Sequence, residues 1–316
     1  MRWTARHFHE TLGLGRRRAA ACLFLAVWLP VWARAETLAP TFDDLPLNGE
    51  IRPGTTRVGI VRDVLAILES RKVPPVYGFV NAKRMEDSQD GADALRAWIA
   101  GGQLVGNHSY SHTDLTEVRA DRFLEDVERN QPVLELLGPA QDWRWFRYPY
   151  LHEGDTLAKR DAVRAGLERR HYQIAQVTID WEDYLWNSPF ARCSAQHDEK
   201  SLAWLHSSYL SFASQYIDGN RQMAVNVFGH PINHVLLLHL GAFSSTILPE
   251  LFDLLRDKGF SLDTLENVER DPAYRTNPNA ALPNGGTLLE QWTEARHLDY
   301  PPLPKKPYKK FEQLCR

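Results

Sequence analysis

Five short apolar runs in this chain each stop at a residue able to do chemistry, and stretches of helical period separate them. Residues 38–42 stop at Asp43-Asp44, and residues 103–106 lead to His108 and His112. Trp145-Phe146 stops at Arg147, the β-rich run 172–179 at Asp180, and the run 234–238 at His239. Residues 76–80, after Pro74-Pro75, read as one further strand. Residues 93–100, closed by Gly101-Gly102, read as a short helix. Val118, Leu124, Val127, Leu134 and Leu137 form a stripe that Pro132 is expected to bend, and further stripes run through Leu205, Tyr209 and Phe212 and through Ile247, Leu251 and Leu255. Reactive residues at the C-terminal ends of successive strands, with helices between them, are what a parallel β/α barrel produces, and a doubly wound open sheet is the alternative.

With 43% hydrophobic and 24% charged residues, the 316-residue chain has enough apolar material for a sizeable core and is not of a disordered class. Arg16-Arg17-Arg18 precedes an apolar run over 19–32, and Ala33-Arg34-Ala35 offers small residues where a signal peptidase reads, so residues 1–35 are expected to be a cleaved leader. The run falls short of the ~20 apolar residues of a membrane span and Pro30 interrupts it, so no stable membrane anchor is expected. Removing 1–35 takes six Arg and one Glu with it and moves the net charge from −3 to −8, which argues against a nucleic-acid partner. The product is expected to be periplasmic or secreted. Cys193 and Cys315 would then be the remaining cysteines, and an oxidising compartment allows them to pair or leaves them free. Residues 36–271 read as one catalytic domain with a loop insertion at 187–200, and residues 272–316 as an irregular tail packed on it.

His108 and His112 stand four apart, a spacing that puts two imidazoles on one side of a helical turn and lets both reach one ion. Alone, such a pair is a weak signal; alone, Asp43-Asp44 could cap a helix, Arg147 could be a structural ion pair, Asp180 could cap the next helix or loop, and His239 could be a satisfied core histidine. Together and in order they resemble the polysaccharide deacetylase family, the carbohydrate esterases with a NodB-homology domain. Thr41-Phe42-Asp43-Asp44 looks like the family's first motif, His108-Ser109-Tyr110-Ser111-His112 its second, Arg147-Tyr148-Pro149-Tyr150 its third, residues 180–184 its fourth and Leu236-Leu237-Leu238-His239 its fifth. The resemblance implies a single-domain α/β fold, a distorted and incomplete parallel (β/α) barrel.

The same resemblance implies Asp44, His108 and His112 as ligands of a divalent metal, zinc foremost, which activates a water for hydrolysis. It implies Asp43 as general base, Arg147 as the cation holding Asp43, His239 as general acid and Asp180 as the carboxylate that orients it. Tyr150 would supply a backbone N–H to the oxyanion, and Leu237 and Tyr184 would enclose the acetyl methyl group. The substrate would be an acetylated glycan, with an N-acetylglucosamine-type amide first. Two positions depart from the family pattern. Leu45 follows Asp44 where the family has Gly, which is expected to place a side chain beside the groove. Tyr184 stands where the family has Trp, with Trp181 and Trp186 as other candidates for the wall. His230 and His234 read as non-ligands, His152 as a solvated loop residue, and Trp143 and Trp145 as core. Two other functions fit the same motifs, namely hydrolysis of a small amide or cyclic imide and glycan binding without catalysis.

Overall fold

The twelve-residue strand β1, Thr37–Asn48, is the axis around which the sheet is laid out, with ten consecutive residues buried. A computed structural model describes residues 36–316 apart from Asp87, Gln89 and Pro139. The expected leader, residues 1–35, lies outside the described residues. The remaining strands are β2 (Tyr77–Val80), β3 (Leu104–Asn107), β4 (Trp145–Phe146), β5 (Gln173–Ile174), β6 (His234–Gly241) and β7 (Ser261–Leu262). The sheet runs β5-β4-β3-β2-β1-β6, with β7 beside the start of β1, and every pairing is parallel.

This order decides between the two architectures read from the sequence. A doubly wound sheet reverses direction at a switch point. Here the first five strands come in sequence order and β6 returns to pair with β1, as in a barrel. Past β5 the chain approaches β6 through a single bridge, Ile179 to Leu236. The result is a curled, open parallel sheet with helices around it. Strands buried on both faces need continuous apolar sequence, which is why β2 and β6 read as apolar runs and not as alternations.

Crossover helices start where a side chain can satisfy a free backbone N–H. Thr56 caps Arg57–Ser70, Thr156 caps Leu157–Arg169 and Asp198 caps Glu199–Phe228, each worth about 1 kcal/mol. The helix Ala120–Leu137 carries Pro132 inside it, as the stripe suggested. The main core extends from Leu38 to Phe311, so the end of the chain is packed into the same interior as β1. No helix of the described residues is long and apolar enough to cross a membrane.

Three expectations change. Residues 187–200 are not a loop: Asn187–Gln196 is helical, with Phe190, Ala191 and Cys193 buried, and Pro189 is tolerated because it stands in the first turn. The run 172–179 forms ladder pairs only over Gln173–Ile174, although Leu237 N–H still donates to the Ile179 carbonyl at 3.1 Å. The tail, residues 272–316, places Phe311 in the main core and is not wholly irregular. It contains Leu288–Ala295, started by a reciprocal Thr287–Glu290 capping box, and Tyr308–Gln313. Cys193 and Cys315 form a disulfide that fastens its end.

Candidate active site

Asp43 and Asp44 are neighbours on a strand, where alternation would send their side chains to opposite faces. The pairing register of β1 shifts after Phe42, and Asp44 takes a left-handed φ of 66°. This bulge brings both carboxyl groups to one cavity of about 560 Å³, to which His108, His112, Asp180, Leu237 and His239 also contribute.

The histidines converge by a different route from the one their spacing suggested. Residues 108–112 are not helical; the chain turns at Ser109 and His112, whose φ values are 59° and 57°. The ring centroids lie 4.9 Å apart. Asn81 braces the turn by donating to the carbonyls of His108 and Ser109. His108 Nδ1 donates to the Arg147 carbonyl at 2.8 Å, which fixes the tautomer and leaves Nε2 facing the carboxylates. His112 Nε2 lies 3.3 Å from Asp44 Oδ1, and His108 Nε2 lies 3.8 Å from it.

These atoms suit a divalent metal. Asp44 Oδ2 accepts from Asn48 at 2.8 Å and pairs with Arg84 at 2.9 Å, but buried Oδ1 accepts no hydrogen bond among the described residues. One donor atom each from Asp44, His108 and His112 lie within 4.8 Å of one another. Burial pushes both imidazoles down to about 4, so at neutral pH they carry the free lone pairs a metal needs. Burial also works against the Asp44 charge, yet Arg84 foremost and then the histidines hold its carboxyl well below the usual range. An N,N,O donor set of this kind matches zinc and related ions.

On one flank, Arg147 Nη1 lies 3.1 Å from Asp43 Oδ1, while its Nε donates to the Ala175 carbonyl at 2.7 Å and its Nη2 to Thr41 Oγ1 at 3.1 Å. The guanidinium is buried and stacked over Phe79. Burial raises the Asp43 pKa and outweighs the opposing charge of Arg147. Such a carboxylate is more basic than an ordinary one.

On the other flank, the carboxylate against His239 is Asp183, not Asp180. His239 Nδ1 lies 2.7 Å from Asp183 Oδ1, and its backbone N–H donates to Oδ2 at 3.0 Å. Glu182 adopts a left-handed φ of 59°, and the 3-10 turn Asp183–Trp186 then folds Asp183 back beneath the imidazole. Asp180 instead accepts the Glu182 N–H at 2.7 Å and faces the cavity, where burial pushes it up to about 6. Burial opposes the His239 charge, but the bond and charge of Asp183, joined by Asp44 and Asp43, lift the imidazole to about 9. It is a cation that can give up a proton.

Tyr150 has a left-handed φ of 59° and its ring packs edge-on to His112 at 4.3 Å. Tyr184 packs edge-on to His239 at 5.2 Å, and both tyrosines are exposed at the cavity. Trp181 and Trp186 are fully buried and Trp143 and Trp145 nearly so, and Tyr184 is the aromatic of residues 180–186 that lines the cavity. Leu45 does not crowd the groove: its side chain is buried against Gly78, where a Cβ would overlap it. His152 is not a solvated loop residue; its Nδ1 sits 2.9 Å from Asp114 and its ring lines the cavity. His234 is buried beside Thr178, outside the cavity, and His230 contacts its neighbour Pro231. Asn48, Arg84 and the tail residues Asn284 and Lys306 also line the cavity, and no motif in the sequence pointed to them; Glu182, inside the fourth motif but given no role there, lines it too. For Asp183 a signal existed, the third carboxylate of Asp180-Trp181-Glu182-Asp183.

Residues 33–169 match the family model described as polysaccharide deacetylase. A chitin deacetylase from Arthroderma benhamiae is 26% identical over 153 residues, covering 48% of this chain and 36% of the relative. A second, from Colletotrichum lindemuthianum, is 29% identical over 157 residues, covering 48% of this chain and 54% of the relative. The chain thus spans about a third to a half of the curated relatives it matches. In fold it resembles the solved chitin deacetylase of Colletotrichum lindemuthianum, with a TM-score of 0.51, 20% identity and coverage of 75% of this chain and 88% of that one. It equally resembles a CE4 family pseudoenzyme from Bacillus anthracis, with a TM-score of 0.52, 16% identity and coverage of 75% and 66%.

Proposed function

We propose that this chain, a member of the polysaccharide deacetylase family through residues 33–169, is an exported metal-dependent hydrolase that removes acetyl groups from an N-acetylglucosamine-type glycan. Because the fold is shared with a pseudoenzyme, the fold alone does not carry this reading. The observation that carries it is the placement of Asp44, His108 and His112 between an Arg147-held carboxylate, Asp43, and an Asp183-held imidazole, His239, in one cavity.

A divalent ion held by Asp44, His108 and His112 would act as a Lewis acid toward water and the acetyl carbonyl. Asp43, made basic by burial and kept in place by Arg147, takes a proton from the attacking water. The Tyr150 backbone N–H stabilises the charge that develops on the carbonyl oxygen. His239 then delivers its proton to the leaving nitrogen as the carbon–nitrogen bond breaks, giving acetate and a free amine. Asp183 keeps the imidazole cationic until that step. Leu237 and Tyr184 bound the space for the acetyl methyl group.

Export rests on the charged, apolar and small-residue pattern of residues 1–35 together with the Cys193–Cys315 disulfide, a bond that persists in oxidising compartments. Assaying acetate release from chitin oligosaccharides and other acetylated glycans, with chelation and zinc add-back, tests the activity. Chelator-sensitive release that zinc restores is the expected result. Glycan binding without release at any metal loading would leave a binding protein in place of an enzyme.

A further inference from the structure

The cavity is closed on two sides by a part of the chain that contributes none of the five motifs. Asn284, Gly285, Gly286 and Glu290 stand on one side, beside His152 and Tyr150, and Leu303 and Lys306 on the other, beside Glu182 and Tyr216.

Both segments are fastened in place. Gly286 N–H donates to the Leu151 carbonyl, and Leu288 N–H to the Val177 carbonyl at 2.8 Å. Gly285 has a φ of 70°, and a Cβ there would overlap the Tyr150 carbonyl and the His152 ring, so only glycine lets the tail run this close to the third motif. Across the cavity, Lys306 Nζ lies 2.8 Å from Glu182 Oε1 and 4.9 Å from the centroid of the Tyr216 ring. Tyr308 donates to the other Glu182 oxygen at 2.9 Å, and the disulfide at Cys315 anchors the segment beyond.

We propose that residues 284–306 form a sugar-binding wall, in which Lys306 and Asn284 bind the units of a neutral N-acetylhexosamine oligomer on either side of the reacting one. This rests on the hydrolytic reading above for which unit reacts. The metal ligands, base and acid occupy the floor of the cavity, and its volume of about 560 Å³ exceeds the needs of one acetamide. The wall and the motif residue facing it mix donors and acceptors: Lys306 only donates, Asn284 does both, and Asp180, outside the wall, accepts. Sugar hydroxyls do both as well. The cations come already paired, Lys306 with Glu182 and Arg84 with Asp44, which matches a neutral sugar better than a carboxylate-bearing one. Tyr150 and Tyr184, 58% and 39% exposed, offer rings to the apolar faces of sugar units at the two sides.

Calorimetric titration of tetra-N-acetylchitotetraose into the full chain carrying Asp43→Asn, to stop turnover, tests the wall. Adding Lys306→Met or Asn284→Ala is expected to raise Kd about tenfold with melting temperature and zinc content unchanged. Asn284 is exposed, so its replacement keeps the test open where Lys306→Met disturbs folding. Unchanged affinity in Asn284→Ala together with Lys306→Met, or no binding by the Asp43→Asn parent, overturns the proposal. Acetate release by the unsubstituted chain is measured in parallel. Release with unchanged affinities removes the wall and keeps the hydrolase; Lys306-dependent binding without release does the reverse.

Discussion

Asp183 takes two hydrogen bonds from His239, one from the ring at 2.7 Å and one from the backbone N–H at 3.0 Å. A carboxylate gripping both ends of one residue fixes the imidazole's orientation as well as its charge. His239 is raised to about 9 against burial, so the acid form persists through neutral pH and is lost only as pH rises through that value. Asp183→Asn removes the bonded charge and lowers the imidazole, so the alkaline limb of kcat/KM moves down and turnover above neutrality falls by about 10²–10⁴-fold. Asp180→Asn leaves that limb in place. A pair of pH–rate profiles for acetate release separates the two carboxylates.

Arg147 governs the opposite limb. Asp43 has its pKa raised by burial, with Arg147 pulling the other way, so the base is lost as pH falls through a value above the ordinary carboxylate range. Arg147→Met removes the opposing charge and moves the acid limb to higher pH. It also leaves a buried carboxylate unpaired, at a cost of about 3–5 kcal/mol. Denaturant unfolding and the acid limb of the pH profile, measured on the same variant, are expected to shift together; a lower midpoint with an unmoved limb would show that Arg147 holds only the fold.

The sites and the fold were legible to different depths for physical reasons. Apolar runs that end in reactive residues report burial and strand ends, so β1, β2, β4 and β6 and the ends bearing Asp43, Arg147 and His239 could be read. Left-handed residues leave no such trace when they are not glycine. Asp44, Ser109, His112 and Glu182 all have φ near 60°, and these turns put both adjacent aspartates in one cavity, replace the expected helical turn under the histidines and substitute Asp183 for Asp180. Residues 284–306 were illegible as site because their Pro and Gly content signals only irregular chain, whereas their place beside Tyr150 and Glu182 is a long-range property of the folded molecule.

His108 and His112 stay unprotonated far below the range of an ordinary histidine, since burial sets both at about 4. Protons therefore compete with the metal only as pH falls toward that value. Zinc content after dialysis at about pH 5.5 is expected to equal that at neutral pH, although free histidines with pKa near 6.5 would already have lost it. His108→Ala removes a donor outright and is expected to weaken zinc by more than the ~10–100-fold that loss of an outer partner costs. Elemental analysis of both proteins across pH reads the two effects, and full zinc in His108→Ala would refute the donor set.

The Cys193–Cys315 bond closes a loop of 122 residues that includes β6 and the whole tail. Cross-linking so long a segment restricts the unfolded chain, and Cys315→Ser is expected to lower stability by about 2–4 kcal/mol. The native contacts of Lys306 and Tyr308 with Glu182 do not pass through the sulfurs, so at low denaturant the groove stays assembled. The expected signature is a lower unfolding midpoint for Cys315→Ser with tetra-N-acetylchitotetraose affinity close to that of the oxidised chain. A fall in affinity without a fall in midpoint would mean instead that the disulfide sets the position of the tail.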